Sequence, residues 1–279
     1  MPRNGAKMLK IYIIFLLLIL IYLCSFNILN LINNLSQEII PSKRTLGFDH
    51  IYVIGLDYRK DRREIMDKQI SYLNLDVEYF KAVSKYDKIL HKFTNINSKV
   101  TVGQRACYVS HYLIYQTIIE EGFNSALILE DDVDFEANIT DIMADIYQNL
   151  PESWDTLHVG HCYETIGQPV GSSSFPNKLY QSVEPQCSHA YAVSNSGVHK
   201  LLKLIDPMNA LGPIDYEIST RVKSKEIISY SIHPQPIIQW KEGNPSDVAP
   251  TSHYPFSLTN STMNLLGLIN ENKYPEEWM

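Results

Sequence analysis

Four acidic side chains lie within five positions of the chain, at Glu130, Asp131, Asp132 and Asp134. They follow directly on the apolar run 125–129, which has the composition of a buried strand. Carboxylates gathered at a strand end repel one another unless a cation neutralises them, and oxygen ligands at this spacing suit Mg²⁺ or Mn²⁺. The cluster therefore indicates a divalent-cation site, and spacing alone leaves a solvated acidic loop as the alternative.

Two other acidic motifs do not fit this cluster. A calcium-binding EF-hand loop needs a central glycine and a distal glutamate, and both are missing here. A phosphohydrolase built on Asp-x-Asp-x-Thr needs aspartate directly after the strand, where this chain has Glu130, and it needs threonine where Glu136 stands. The residues around Asp132 therefore disfavour a metal-dependent phosphohydrolase.

The elements that must position the acids alternate between strand and helix. A strand at 50–54 ends at Gly55 and leads through the charged turn 57–63 into a helix, and a second helix at 103–122 precedes the strand 125–129. Further strands are predicted at 77–80, 156–159, 188–193 and 227–232, further helices at 139–149, 197–205 and from 213, and loops at 84–100 and 164–178. This alternation predicts an α/β fold with a mostly parallel sheet flanked by helices. Ligands bind such sheets beyond the carboxyl ends of the strands, where the acids lie.

Length and charge limit the class of protein. The chain has 279 residues, and the part beyond about residue 45 is long enough for one sizeable domain. The net charge is −7 and the isoelectric point is about 5.7, whereas a nucleic-acid partner requires a basic face. We therefore expect no nucleic-acid partner.

The N-terminus has the pattern of a membrane anchor. The run 11–24 is apolar and free of charge, weaker hydrophobicity extends it to 11–32, and Arg3, Lys7 and Lys10 precede it. Such a stretch can cross a bilayer with the basic end in the cytoplasm, while a cleaved signal peptide is the alternative. The predicted organisation is a cytoplasmic tail at 1–10, a transmembrane signal anchor at 11–32, a stem at 33–48 and a lumenal domain at 49–279.

Sequons and cysteines agree with a lumenal location. Asn34, Asn138 and Asn260 each begin an Asn-x-Ser/Thr triplet and are candidate glycosylation sites. Four cysteines are too few for a disulfide scaffold, and one bridge is predicted, between Cys162 and Cys187.

Several motifs in a fixed order give the chain a resemblance to glycosyltransferase family 25, which includes lipooligosaccharide and collagen galactosyltransferases. The matching segments are Ile51-Tyr52-Val53-Ile54-Gly55-Leu56-Asp57 with Arg59 and Arg62, Gly103-Gln104-Arg105-Ala106-Cys107-Tyr108-Val109-Ser110-His111, Ala126 to Val133, Trp154-Asp155-Thr156-Leu157, Ala190 to Ser194, Pro213-Ile214-Asp215 and Pro245-Ser246-Asp247-Val248. The family usually has Asn at the position of Gly55 and Glu at that of Gln104, so these two positions depart from its pattern. The resemblance implies a GT-A-like, Rossmann-type fold and transfer of a hexose, most often galactose, from a UDP-sugar.

The resemblance also implies roles around the donor. Asp132 is the expected ligand of Mn²⁺ or Mg²⁺, with Glu130 or Asp134 assisting, and the ion would bridge the donor diphosphate. The expected donor-binding residues are Leu56, Asp57, Arg59, Arg62, Glu130 and Asp131. The two arginines suit phosphate or uracil oxygens, and an ordinary charged helix start is their alternative.

The resemblance further implies an inverting transfer, in which a carboxylate should take the acceptor proton. Asp215 is the first candidate for this base and Asp247 the second, with helix capping as the alternative role of Asp215. The acceptor-pocket candidates are Ser110, His111 and His189, for which structural roles remain open.

The acceptor class that the resemblance implies is a glycan or a glycoprotein. The alternative function is a catalytically inactive protein that keeps the glycosyltransferase fold for binding. The intact acids between Glu130 and Asp134 favour the enzyme, because a decayed site tolerates their loss.

Overall fold

The computed structural model describes residues 18–22, 25, 43–95, 99–162, 164–240 and 257–269. The chain divides into two compact units, Met1–Pro41 and Ser42–Met279, and every element named below belongs to the second. Within the described residues, no helix combines the length and the apolar character needed to cross a membrane. The predicted tail 1–10, most of the predicted anchor 11–32 and much of the predicted stem 33–48 lie outside the described residues.

A mixed sheet of eight strands forms the centre of the second unit, in the order β2-β1-β3-β8-β5-β9-β7-β6. Its strands are β1 (His50–Gly55), β2 (Glu78–Lys81), β3 (Ser125–Glu130), β5 (Thr156–Gly160), β6 (Ile166–Pro169), β7 (Lys178–Ser182), β8 (Ala190–Ser194) and β9 (Ser229–His233). Strands β4 (Val133–Phe135) and β10 (Ile237–Gln239) pair separately as an antiparallel ribbon.

Helices cover both faces of the sheet. They are α1 (Lys60–Leu73), α2 (Leu90–Phe93), α3 (Val102–Glu121), α4 (Ile139–Asn149), α5 (Asn195–Leu204), α6 (Ile214–Lys223) and α7 (Thr262–Leu265). Val53 and Leu129 belong to a core shared with α1 and α4. Tyr52, Ile128 and Tyr191 point to the other face and pack with α3, α5 and α6. Burial on both faces explains why β1, β3 and β8 are apolar runs rather than alternating ones.

Helix α3 is fixed at both ends. The Thr101 hydroxyl accepts the Gln104 backbone N–H at 3.3 Å, and the Gln104 side chain accepts the Thr101 backbone N–H at 3.0 Å. At the other end Gly122 adopts φ 75°, which lets its N–H cap the last turn. Gln104 therefore has a capping role that glutamate fills equally well, which accounts for this departure from the family pattern.

Asp155, directly before β5, ties three elements together. Its carboxylate is fully buried and accepts Lys200 Nζ at 2.6 Å, the Ile228 N–H at 2.8 Å and the Ser196 hydroxyl at 3.1 Å. These contacts join β5 to α5 and to the residue before β9. The Trp154-Asp155 motif is therefore a structural part of the fold.

The predicted elements form, but the sheet is more mixed than the sequence suggested. Strands β1, β2 and β3 are parallel, as are β5 and β9, whereas β8 runs antiparallel to both of its neighbours. The hairpin β6–β7 occupies much of the stretch 164–182, where a flexible loop was predicted over 164–178. An apolar run looks the same in either direction, and a short polar edge hairpin lacks an apolar run altogether, so sequence periodicity shows neither feature.

Candidate functional site

The acids collect where β1 and β3 end side by side. Ile54 and Glu130 are partners in the parallel ladder, so the predicted meeting of these two strand ends is confirmed. Asp131 and Asp132 occupy the tight turn that links β3 to β4, and both are largely buried. The turn is therefore an interior, solvent-poor place for two carboxylates.

Arg62 from α1 pairs with both aspartates of the turn. Its Nη1 lies 2.7 Å from Asp131 Oδ1 and 3.2 Å from Asp132 Oδ2, and the side chain is almost fully buried. A buried guanidinium needs such partners, because an unpaired charge away from water is costly. The structure thus places Arg62 against the acids, where it positions them and offsets part of their charge.

Gln239 at the end of β10 bridges the other side of the cluster. Its Nε2 donates to Glu130 Oε2 at 3.3 Å and to Asp132 Oδ1 and Oδ2 at 3.2 and 3.3 Å. The Trp240 N–H adds a bond to the Asp132 carbonyl at 2.7 Å. Sequence reasoning missed Gln239, because a polar residue in a three-residue strand far along the chain carries no recognisable motif.

The clustered carboxylates carry more negative charge than the neighbouring Arg62 can neutralise, and this is visible in their pKa values. Burial, followed by repulsion from Glu130, raises the pKa of Asp132 to about 7. Burial also raises the pKa of Asp131, against the opposing charge of Arg62. Burial opposes ionisation of Glu130 as well, but the neighbouring imidazoles of His111 and His189 and the charge of Arg62 lower its pKa overall. The Asp132 carboxyl therefore retains a proton near neutral pH that a divalent ion can replace, whereas the lowered pKa of Glu130 favours its carboxylate form. Hard carboxylate oxygens fit Mn²⁺ or Mg²⁺.

Asp134 is engaged elsewhere, in contrast to its predicted role as a metal ligand. Its carboxylate accepts the Ser261 hydroxyl, the Met263 N–H at 3.1 Å and the Phe135 N–H at 2.8 Å. The Ser261 and Met263 donors attach the segment 257–269 to β4, and together with the Phe135 N–H they occupy the carboxylate. We therefore leave Asp134 out of the metal site proposed below.

A basic, partly aromatic pocket opens beside Asp131. Its lining consists of Gly55, Leu56, Asp57, Arg59, Lys60, Arg63, Tyr79, Phe80, Lys81 and Asp131. Four of the predicted donor-binding residues are thus brought together, namely Leu56, Asp57, Arg59 and Asp131. The contributions of β2 were missed, although the parallel pairing of β2 with β1 places their carboxyl ends at one edge.

Several side chains of this pocket are held in place by a cation–π contact, a hydrogen bond and an ion pair. The Arg63 guanidinium lies 3.1 Å from the centroid of the Tyr79 ring, and the Tyr79 hydroxyl donates to Asp67 at 2.8 Å. Lys81 Nζ pairs with Asp57 at 2.6 Å. The pocket therefore offers an aromatic ring and cationic groups within reach of the acidic turn.

Gly55 separates this pocket from the acids without filling the space. A Cβ at this position would lie 3.1 Å from Asp131 Oδ2, a tighter contact than side chains normally make. The glycine that departs from the family pattern therefore leaves the Asp131 carboxylate open to the pocket.

The predicted acceptor-pocket residues are all buried. Ser110 accepts the Val83 N–H at 2.8 Å and donates to the Ala106 carbonyl at 2.8 Å, so its hydroxyl holds a loop against α3. His111 and His189 are 0% and 2% exposed. A side chain without solvent exposure cannot contact an incoming acceptor in this arrangement, so the structure favours the structural alternative for all three.

Asp215 lies in the first turn of α6 and is half-buried. Its Oδ1 accepts the Tyr216 N–H at 2.9 Å. Burial and, to a smaller extent, the charge of Glu130 raise its pKa, so the two carboxylates are near enough to influence each other. The structure therefore brings Asp215 to the acidic end of the sheet, whereas Asp247 lies outside the described residues.

A disulfide borders the same end of the sheet. Cys162 follows β5 and Cys187 precedes β8, and the two are bonded with a Cα–Cα distance of 5.6 Å. This bridge confirms the predicted pairing. Among the sequons, Asn138 and Asn260 have exposed side chains, while Asn34 lies outside the described residues.

Comparison of the sequence with known protein families identifies a family of glycosyltransferases. The profile of glycosyltransferase family 25, described as an LPS biosynthesis protein family, matches residues 48–218. The chain belongs to glycosyltransferase family 25, which confirms the resemblance found in the sequence.

Its relatives include named galactosyltransferases. Procollagen galactosyltransferase 1 of Danio rerio is 27% identical over 227 residues, which cover 75% of this chain and 37% of the relative. Procollagen galactosyltransferase 2 of Mus musculus is 25% identical, with 71% and 32% covered. Inactive glycosyltransferase 25 family member 3 of Homo sapiens is 25% identical, with 77% and 39% covered. The chain thus matches between 32% and 39% of the length of these three relatives.

Proposed function

We propose that the chain is a metal-dependent hexosyltransferase with a GT-A-like fold, which moves galactose from UDP-galactose to a hydroxyl of a glycan or glycoprotein. The observation that carries this proposal is the junction at Asp131, where the basic, aromatic pocket meets the buried acidic turn. A nucleoside diphosphate requires both parts, a ring with cationic groups for the nucleotide and acids with a metal for the diphosphate.

The donor nucleotide is proposed to lie over β1 and β2. Tyr79 and Phe80 offer apolar ring surface, and Arg59, Arg63 and Lys81 offer donors to oxygen atoms. Arginine suits this task because its planar fork can bind two oxygens at once.

Asp132 and the Oε2 side of Glu130 are proposed to hold Mn²⁺ or Mg²⁺. The Gln239 amide already donates to Glu130 Oε2 and to the Asp132 carboxylate, so these oxygens lie close together. The raised pKa of Asp132 indicates that its surroundings favour a cation. When bound, the ion supplies charge neutralisation for a diphosphate leaving group. Arg62 keeps the Asp131 and Asp132 carboxylates in position while the ion is exchanged.

Asp215 is proposed as the base of an inverting transfer. It accepts the proton of the acceptor hydroxyl at its carboxylate as that oxygen bonds to the anomeric carbon and the bond from this carbon to the UDP oxygen breaks, so that UDP leaves. Its raised pKa suits this task, because a base is most effective when its pKa approaches the working pH.

The domain is proposed to work in the lumen of the ER or Golgi. The Cys162–Cys187 disulfide supports an oxidising compartment. The predicted signal anchor would place the protein as a single-pass type II membrane protein, and this part of the proposal rests on the sequence of residues 11–32 alone.

A panel of sugar nucleotides tests the donor. We expect UDP-galactose to bind more tightly with Mn²⁺ than without it, as measured by titration calorimetry on the purified full-length protein. Asp76→Asn, a change of an exposed acid on the same unit, serves as the control and should bind as the wild type does. If no sugar nucleotide binds with or without a metal ion, the transferase proposal is wrong.

Turnover separates the enzyme from the alternative of an inactive binding protein, which the name of the human relative keeps open. Asp215→Asn should lower turnover by about 10²–10⁴-fold and leave donor affinity unchanged, because the base acts only on the acceptor proton. Asp141→Asn is the matched control, since Asp141 is also an acid in a first helical turn. Donor binding without transfer to any glycan or glycoprotein hydroxyl, in the wild type, would favour the inactive protein.

A further inference from the structure

We propose that Cys107, His111 and Glu130 form a second cation site, one that takes a thiophilic divalent ion such as Zn²⁺. We name these three residues the Cys–His–Glu cluster. It lies on the α3 side of the acidic turn and is distinct from the proposed diphosphate-metal site at Asp132.

Local geometry brings the three ligand types together. Cys107 and His111 are four residues apart on α3 and therefore lie on one face of the helix. Glu130 ends β3 directly opposite, and one ligand atom of each residue lies within 4.8 Å of the other two. Small side-chain rotations bring atoms at this spacing to the separations of a tetrahedral site.

His111 provides the strongest single indication. The residue is completely buried, and its Nε2 has no hydrogen-bond partner. The nearest charged atom is Glu130 Oε1 at 3.7 Å, which is too far for a hydrogen bond. A buried, unpaired imidazole nitrogen that faces a carboxylate needs a proton or a cation between them.

The other nitrogen of His111 shows how the ring is oriented. Nδ1 lies 2.9 Å from the Tyr191 hydroxyl, and that hydroxyl in turn bonds to the hydroxyl of Tyr115. With Tyr191 donating to Tyr115, its oxygen accepts from His111 Nδ1–H, and the lone pair of Nε2 then points towards Glu130. Metal-binding histidines are commonly held in this way, with the second nitrogen donating to a fixed partner.

The surrounding charge favours a cation at the same place. Burial, followed by the negative charges of Glu130, Asp215 and Asp132, raises the pKa of the Cys107 thiol. A bound ion would displace the thiol proton to solvent, so binding should strengthen as the pH rises.

The two oxygens of Glu130 separate the two sites. Oε2 faces the Gln239 amide and the Asp132 side of the cluster, whereas Oε1 lies near Ser188 and His111. Sulfur and nitrogen ligands select Zn²⁺ over Mn²⁺ or Mg²⁺, which prefer oxygen. Zn²⁺ in the Cys–His–Glu cluster would draw Glu130 away from the donor side and inhibit transfer, a consequence that rests on the proposed function.

Cobalt provides a direct probe of the binding step, because Co²⁺ bound to a thiolate absorbs in the near ultraviolet. We expect this band when the full-length protein is titrated with Co²⁺, and we expect one equivalent of Zn²⁺ to remove it. Cys107→Ser and His111→Asn should abolish the band, while Cys24→Ser, a change of a cysteine outside the Cys–His–Glu cluster, should leave it intact. A band that persists in Cys107→Ser would overturn the proposal.

Two further measurements guard against variants that fail to fold. Tyr191→Phe keeps all three ligands and should weaken Zn²⁺ binding by about 10- to 100-fold, because it removes the hydroxyl that His111 Nδ1 and Tyr115 share and so frees the imidazole ring to reorient. In the wild type, Zn²⁺ should protect Cys107 from alkylation, as read by mass spectrometry of its peptide. Alkylation at the same rate with and without Zn²⁺ contradicts the site. Neither measurement uses a sugar nucleotide, so failure of the transferase proposal would leave both readouts interpretable.

Discussion

Two pairs of acids lie next to each other in the chain and serve different ends. Asp131 and Asp132 occupy the turn between β3 and β4, where Arg62 bonds to both of them. Asp134 and Glu136 follow two residues later, and they bind donors from the segment 257–269. Arg62 does not fully neutralise the first pair, whereas the carboxylates of the second pair accept hydrogen bonds from neutral hydroxyl and N–H groups.

The difference shows that partners, rather than residue type, decide what an acid does. The carboxylates of the turn are incompletely neutralised by Arg62 and favour a further cation, as the raised pKa of Asp132 indicates. The carboxylates of Asp134 and Glu136 accept hydrogen bonds from the segment 257–269 and thereby hold it against β4. We therefore expect substitutions at Asp131 or Asp132 to lower activity and substitutions at Asp134 or Glu136 to lower stability.

The largest effect is expected at Asp132. Asp132→Asn should lower metal-dependent turnover by about 10³-fold, since a metal ion contributes several kcal/mol to the stabilisation of a leaving group. The melting temperature should stay unchanged or rise, because the substitution removes a buried like-charge repulsion. Steady-state kinetics with Mn²⁺ and thermal melts of the same preparation measure the two quantities. Unchanged turnover would remove Asp132 from the site.

Asp134 should give the opposite result. Asp134→Ala deletes the acceptor of the Ser261 hydroxyl and of the Met263 N–H, and it should lower the free energy of unfolding by about 2–3 kcal/mol. Turnover per folded molecule should remain that of the wild type. Urea unfolding, together with activity corrected for the folded fraction, tests this prediction. A loss of turnover without a loss of stability would return Asp134 to the list of metal ligands.

The smallest effect is a change of stability with pH in the absence of metal. The pKa of Asp132 is about 7 in the folded protein, above its ordinary value of 3.8, so the protonated form favours folding. Its contribution to stability is fully present below about pH 4 and is lost as the pH rises through 7. Wild-type melts at pH 5 and pH 8 should therefore differ more than those of Asp132→Asn. Equal pH dependence in the two proteins would show that Asp132 does not titrate in this range. Addition of Mn²⁺ should raise the melting temperature of the wild type at pH 8.

Much of this arrangement could be predicted from local sequence. The apolar runs of β1 and β3, the capped helix α3 and the acids after Leu129 each follow from periodicity or from a short motif. The placement of acids at a strand end also follows, because parallel strands bring their carboxyl ends to one edge. The Cys162–Cys187 pairing was likewise predicted before the fold was known.

The remaining features depend on contacts between distant parts of the chain. Gln239 reaches Glu130 over 109 positions, and Asp134 meets Ser261 over 127. Tyr79 enters the pocket because β2 pairs with β1. A strand at 77–80 was predicted, but its short sequence does not reveal which strand it pairs with. From spacing alone, Asp134 and Asp132 had the same predicted role as metal ligands. In the folded chain their side chains have different partners, and this difference distinguishes them.

The hydrogen bonds of Trp240 and Thr259 have a consequence for how the two pairs of acids are linked. The Trp240 N–H is bonded to the Asp132 carbonyl, just before β4, and the Thr259 N–H to the Glu136 carboxylate, just after it. Strand β4 is therefore tied to distant parts of the chain at both of its ends. A displacement of β4 would move the Asp131–Asp132 turn and the segment 257–269 together, so a change of stability at the second pair can be transmitted to the geometry of the first.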